Sequence, residues 1–185
     1  MNNPSDSIAS AATVLAFWRE AGPARWFAKN DDFDAEFKAR FEPTHRAAAR
    51  GALEAWAENA DGALALLVML DQFPRNAYRG SARMFETDAH ALRVAHAAVA
   101  AGLDGQVEAP LRAFFYLPFM HSESMADQDR SVALNAALDD NTQRFAVLHR
   151  DIVARFGRFP HRNAVLGRDT TAAEQAFLDE GGFRG

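Results

Sequence analysis

The 185-residue chain contains no cysteine, which removes disulfides, thiolate metal sites and a thiol nucleophile, and fits a reducing compartment. It also lacks an excess of positive charge: 20 Lys and Arg against 25 Asp and Glu give a net charge of −5. No overall basic field therefore draws nucleic acid or an anionic membrane surface. Long apolar runs are missing too. The longest, Ala63 to Leu70, falls far short of the roughly 20 residues that span a bilayer. The start, Met1 to Ser7, is polar and carries no basic segment followed by an apolar core, so the expectation is a cytoplasmic protein. No stretch alternates apolar and polar residues over strand length, and turn pairs of the Asn-Gly type are absent. Without a glycine-rich phosphate loop, nothing singles out a nucleotide, and no cofactor is expected.

What the sequence does have is helical periodicity. Ile8, Ala11, Ala12, Leu15 and Trp18 share a face, with a cap expected around Ser5 to Ser7 and a stop at Gly22-Pro23. Trp26 and Phe27 fall in a connector. Phe33, Phe37 and Phe41 form an aromatic stripe after Asn30, and Pro43 either kinks that helix or starts the next, in which Gly51 is a weak point. Asp61-Gly62 opens the apolar helix toward Phe73, and Thr87-Asp88 opens another with Leu92, Ala95, Val99 and Leu103 on its buried side. A run from Pro110 is expected to end or bend at Pro118. After a polar start at Ser122 to Ser124 and a break near Asp139-Asp140, Phe145, Leu148, His149, Ile152, Val153 and Phe156 make the clearest stripe of all. Thr171 to Glu174 is a capping box, and Gly181-Gly182-Phe183 a left-handed stop with an apolar residue that folds back. The fold class is all-α: a single domain over 1–185, residues 1–6 flexible, with seven to nine short helices in antiparallel hairpins, as a stack or a compact bundle.

One phrase occurs twice. Phe73-Pro74-Arg75-Asn76 is answered by Phe159-Pro160-His161-Arg162-Asn163, each after an apolar helical run, and a Gly and Arg pair follows each, Arg79-Gly80 and Gly167-Arg168. Proline has no backbone donor and disfavours a helical residue before it, so both helices are expected to stop near the Phe and expose their last carbonyls. Arg and Asn side chains supply the missing donors.

The strings Leu70 to Asn76, Met120-His121-Ser122-Glu123 and Arg155 to Asn163, with the Gly181-Gly182-Phe183 ending, resemble a bacterial family of uncharacterised proteins that is described as a domain of unknown function. The resemblance runs from about Val14 to Phe183. It implies a tetratricopeptide-like, all-helical architecture and carries no activity, substrate or cofactor with it.

The polar groups admit three readings. In the first, a helical scaffold binds a peptide, a protein or a small acidic ligand near the two loops, using Asp71, Arg75, Asn76, Arg79, Arg158, Arg162 and Asn163, because guanidinium forks grip carboxylates and phosphates with paired hydrogen bonds. In the second, an enzyme acts on an anionic small molecule held by Arg75, Arg79, Arg158 and Arg162, with His121 or His161 as acid or base and Glu123 orienting it. In the third, the same groups form a structural network in an oligomer-forming protein. Asp71 sits at a helix end where the dipole opposes a carboxylate, and Arg75, four residues on, is its natural counter-ion. The acidic groups Glu123, Asp127 and Asp129 suit pairing with the arginine loops. A metal site is not expected, since neither cysteine nor a His-Glu-x-x-His pattern is present. His149 and His96 read as hydrogen-bonded core histidines, and the three Trp and fifteen Phe residues as core before cage. Oligomeric state stays open.

Overall fold

The computed structural model describes residues 7–183, and every described element in it is helical. Ten α-helical segments succeed one another: α1 (Ala11–Ala21), α2 (Pro23–Trp26), α3 (Asp31–Ala49), α4 (Ala60–Leu67), α5 (Phe73–Ala77), α6 (Asp88–Ala100), α7 (Ala109–Met120), α8 (Met125–Asn135), α9 (Asp140–Phe156) and α10 (Ala172–Asp179). A π-helical turn, Val68–Gln72, joins α4 to α5 without a break, so the described residues form nine helical rods. Short 3-10 turns at Glu54–Glu58, Ala82–Phe85, Asp104–Gln106 and Pro160–Arg162 fill the connections. The all-α class is as the sequence implies.

The chain divides into two compact units, one made of Met1–Arg79 with Arg83–Pro118, the other of Gly80–Ala82 with Phe119–Gly185. The first unit is organised by aromatic packing. Phe17 of α1 stacks on Phe33 and Phe37 of α3 with ring centroids 5.3 Å apart in each case, and Trp18 meets Phe37 at 5.4 Å and the edge of Phe114 of α7 at 5.3 Å. Such offset and edge contacts add to the area that large rings remove from water. The stripe at i, i+4 and i+8 on α3 puts all three phenylalanines on one face, and all are buried. Asn59 starts α4 by accepting the Gly62 N–H at 2.9 Å. Gly62 must be glycine, because a β-carbon there would lie 2.1 Å from the Trp56 carbonyl oxygen. Everything from Ala63 to Leu70 is buried, which is why that run is apolar on all sides.

In the second unit α8 and α9 pack against each other, and Ile152, Val153 and Phe159 make a small core closed by Met125, Phe156, Phe177 and Phe183. Asp139 caps α9 through the Asn141 and Thr142 N–H groups. The capping box of α10 forms as spelled, Thr171 and Glu174 each accepting the other's backbone N–H. Phe183 folds back onto His149, with ring centroids 4.6 Å apart.

Several local expectations are corrected. The first helix is capped by Ser10; of the expected cap residues Ser5 and Asp6 lie outside the described residues and Ser7 precedes the helix. Ile8 is exposed, the buried face being Val14, Leu15, Phe17 and Trp18. Trp26 belongs to a single helical turn begun by Pro23. Pro43 and Pro118 both lie inside helices that continue past them. His96 is exposed, as are Phe145 and Leu148; α9 buries only Ala146, His149, Ile152 and Val153.

Candidate functional site

Pro74 does not stop its helix. It sits in α5, directly after the π-helical turn, and Phe73 before it keeps helical torsions of −53° and −51°. Proline nevertheless removes a donor, and the wider turn redirects another: the Phe73 N–H reaches back to the Val68 carbonyl. The carbonyls of Met69 and Leu70 are thereby denied their usual i+4 partners. Side chains take their place. His45 Nδ1 donates to the Met69 carbonyl at 2.9 Å and the Thr87 hydroxyl donates to that of Leu70. Because a carbonyl can only accept, His45 carries its proton on Nδ1. Arg75 Nη1 serves the next carbonyl, that of Asp71, at 2.8 Å.

The same turn buries a carboxylate. Asp71 is 1% exposed and accepts from Gln72 Nε2 at 2.6 Å and pairs with Arg75 Nη1 at 3.1 Å. Arg75 closes a two-armed fork on Asp88, at 2.8 and 3.0 Å. Burial disfavours the guanidinium charge, yet Asp71 and Asp88 outweigh it and hold Arg75 above its ordinary pKa. Asn76 donates to Asp34 Oδ1 at 2.8 Å and Arg79 to Asp34 Oδ2 at 3.0 and 3.2 Å. Arg75, Asn76 and Arg79 are thus engaged with carboxylates of this unit, and Asp71 with the Gln72 amide and the Arg75 guanidinium.

The second phrase is built differently. Gly157, at φ 73°, ends α9 in the left-handed conformation with its N–H on the Val153 carbonyl. The helix has therefore stopped before Phe159, which is extended, and Pro160 starts a 3-10 turn. Glu123 holds this loop. Its oxygens accept the Phe159 N–H at 2.8 Å and both arms of Arg168 at 2.8 and 3.1 Å. Burial pushes the Glu123 pKa up, but Arg168 and that N–H hold it below the usual carboxylate value. Arg168 also donates to the Phe159 carbonyl and to Asn163 Oδ1. Arg158 grips Glu174 at 2.6 and 2.9 Å and reaches the Asp169 carbonyl, and this fork drops the Glu174 pKa to about 2. Glu123 thus orients an arginine, while Asp129 pairs with Arg150 and Asp127 accepts from Ser122.

The histidines gather near the second loop. His149 is buried and its Nδ1 donates to the Phe145 carbonyl at 2.7 Å, as expected for a hydrogen-bonded core histidine. His121 lies 6.5 Å from it, ring to ring. His161 sits between Phe159 and Phe183, at 5.6 and 5.3 Å. Its Nδ1 is sealed from solvent without a hydrogen-bond partner. Burial, then the neighbouring Arg162 guanidinium and His149, push the His161 pKa down to about 3. Arg162 is itself buried, its guanidinium 4.4 Å from the Phe159 ring centroid. Among the described residues no three His, Asp or Glu side chains gather in a way that would hold a metal ion.

Sequence reasoning overlooked Asp34, Asp88, Glu174 and Thr87, the acceptors and donors that complete these networks. Glu174 was visible only as a capping residue, and it performs both tasks. Thr87 stood at a helix start and was read as a cap, while its hydroxyl serves Leu70.

A family model described as a bacterial protein of unknown function, DUF924, matches residues 14–182 of the chain. A solved structure of a protein of unknown function, ATU0120 from Agrobacterium tumefaciens, is similar to it at a TM-score of 0.91 and 50% sequence identity, covering 92% of this chain and 97% of that one. None of the curated proteins matches. Among the described residues no helix is long and apolar enough to cross a membrane.

Proposed function

We propose, for a chain that belongs to the DUF924 family of bacterial proteins, a helical binding scaffold that takes an acidic ligand at the second loop, with His161 as the contacting group. The observation that carries this reading is the half-buried His161 ring, whose Nδ1 is buried without a hydrogen-bond partner. A polar group left unpaired in that way costs on the order of 1–3 kcal/mol. With Nδ1 sealed, Nε2 is the ring nitrogen left to meet a ligand. A pKa of about 3 keeps the imidazole neutral at physiological pH, so Nε2–H serves as a fixed donor and not as a proton shuttle. The Arg162 guanidinium alongside adds a positive field, which favours a carboxylate, either of a small acid or of an acidic peptide side chain. The remaining arginines of both phrases support this by holding the loops in shape. Arg75, Arg79 and Arg158 each already grip a carboxylate of the protein, so a ligand would compete with strong internal partners there.

The test is an imidazole-detected 15N NMR titration with succinate and with an oligoglutamate peptide, beside succinamide as a neutral control. The His161 Nε2 resonance is expected to stay that of the neutral ring from about pH 5 to 8, given a pKa near 3, and to move with the acids only. His161→Phe should abolish binding and leave the melting temperature within a few degrees. Equal binding by His161→Phe, or no response to any acid, would overturn the proposal.

A further inference from the structure

The exposed face of α9 carries four charges that, among the described residues, make no ion pair with another element. Asp140, Arg144, Asp151 and Arg155 are all exposed, as are Val147 and Leu148 between them. Among the described residues Asp140 makes no ion pair. Arg144 donates to the Asn141 side-chain oxygen at 3.1 Å and lies over the Phe145 ring, and Arg155 lies over the Phe156 and Phe177 rings. Asp151 has its sequence neighbour Arg150 at 3.6 Å. Asp140 and Arg144, like Asp151 and Arg155, stand four residues apart, the spacing of an in-helix pair. Neither pair comes within 4 Å.

Their order has a symmetry. About the midpoint between Val147 and Leu148, Asp140 is the mirror position of Arg155, Arg144 of Asp151, and Asn141 of the small residue Ala154. Steps of four, three or four, and four residues keep all of these on one side of the rod, over a length of about 22 Å. A helix with that pattern is complementary to itself run in the opposite direction. Turned end for end about a two-fold axis, each acid faces a base, and the two central apolar residues meet their own copies.

We infer that this face of α9 is a self-docking surface, and that its occupant is α9 of a second copy of the chain, packed antiparallel with Asp140 against Arg155, Arg144 against Asp151, and Val147 and Leu148 at the dyad. An isologous contact requires this kind of self-complementarity, each residue of a pair meeting its counterpart twice. A ligand or partner of one charge sign would not find it, because the signs alternate along the face. The exposed apolar residues Val147 and Leu148 give the contact a desolvated centre, and the four ion pairs fix register and direction at its rim.

The proposal is tested by sedimentation velocity on the full chain from about 1 to about 200 µM, a range that brackets a micromolar dissociation constant. The wild type is expected to pass from monomer to dimer, and about 0.5 M salt should weaken the dimer because exposed pairs are screened. R144E sets like charges opposite Asp151 twice and should raise the dissociation constant at least tenfold. The swap R144E/D151R restores both pairs in the antiparallel arrangement and should bring the dimer back, and R155E with D140R should behave in the same way. All the positions are exposed, and far-ultraviolet circular dichroism confirms that each variant keeps its helices. A wild type that is monomeric throughout, a dimer indifferent to R144E, or a swap that fails to restore it would each overturn the inference.

Discussion

Phe73 and Phe159 each precede a proline, yet Phe73 is helical and Phe159 is extended at −93° and 107°. The residue before proline is normally driven toward the extended region, and only the second phrase obeys. In the second, Gly157 has already turned the chain out of its helix, so Pro160 meets no ladder to break. In the first, the helix is buried all round and runs on. The conflict is absorbed by widening one turn, and the two carbonyls this frees are met by His45 and Thr87. Identical letters therefore give different backbones, because what decides is the residue that precedes the phrase and the donors that the surrounding elements offer.

The sharpest way to break the comparison is Arg75→Ala. It strips Asp71 of its counter-ion and the Asp71 carbonyl of its donor inside a buried turn, and should cost about 3–5 kcal/mol in urea unfolding. A loss below about 1 kcal/mol, the worth of a surface pair, would show that the first loop is no more constrained than an exposed one. Next comes Gly157→Ala. A β-carbon there meets nothing within 4 Å, so the whole cost is that of the left-handed torsion, roughly 1–2 kcal/mol. An unchanged midpoint would mean that Pro160 and not Gly157 stops α9. A third test is the pH dependence that Glu174 adds at the second loop. The Glu174 pKa is about 2 when folded and about 4.3 in an unfolded chain. Its stabilising share is thus complete above the unfolded value and fades as pH falls toward 2. In Glu174→Gln the unfolding free energy should fall less steeply with acid over that window; identical slopes would remove Glu174 from the account.

The class of fold was legible because it depends on spacing. Phe33, Phe37 and Phe41, the capping box at Thr171, and Gly181 with Phe183 each state a local rule, and each is obeyed. Wrong steps came where a local rule met a buried surroundings. Pro74 reads as a stop, Pro43 as a kink or a new start and Pro118 as an end or a bend, and all three lie in helices that tertiary packing carries through. Phe145 and Leu148 were read as core from period alone, though the face they occupy looks outward. The pairing of Arg75 with Asp71 was legible from their spacing of four, and it forms. The other partners were not, because Asp34 and Asp88 lie 45 and 13 residues away from Arg79 and Arg75, and no spacing rule links groups brought together by folding. His161 reads from the sequence as an acid or base; its burial and the charge beside it, which a sequence does not display, hold its pKa at about 3.

The wide turn at Val68–Gln72 has one more consequence. A residue added to a helical turn offsets everything after it by about 100° around the axis. Deleting any one of these five would let the rod narrow to its normal pitch, and would swing Arg75 away from Asp88 and Asn76 away from Asp34. The additional residue works as a compass setting: it fixes the bearing at which the chain leaves its most deeply buried segment.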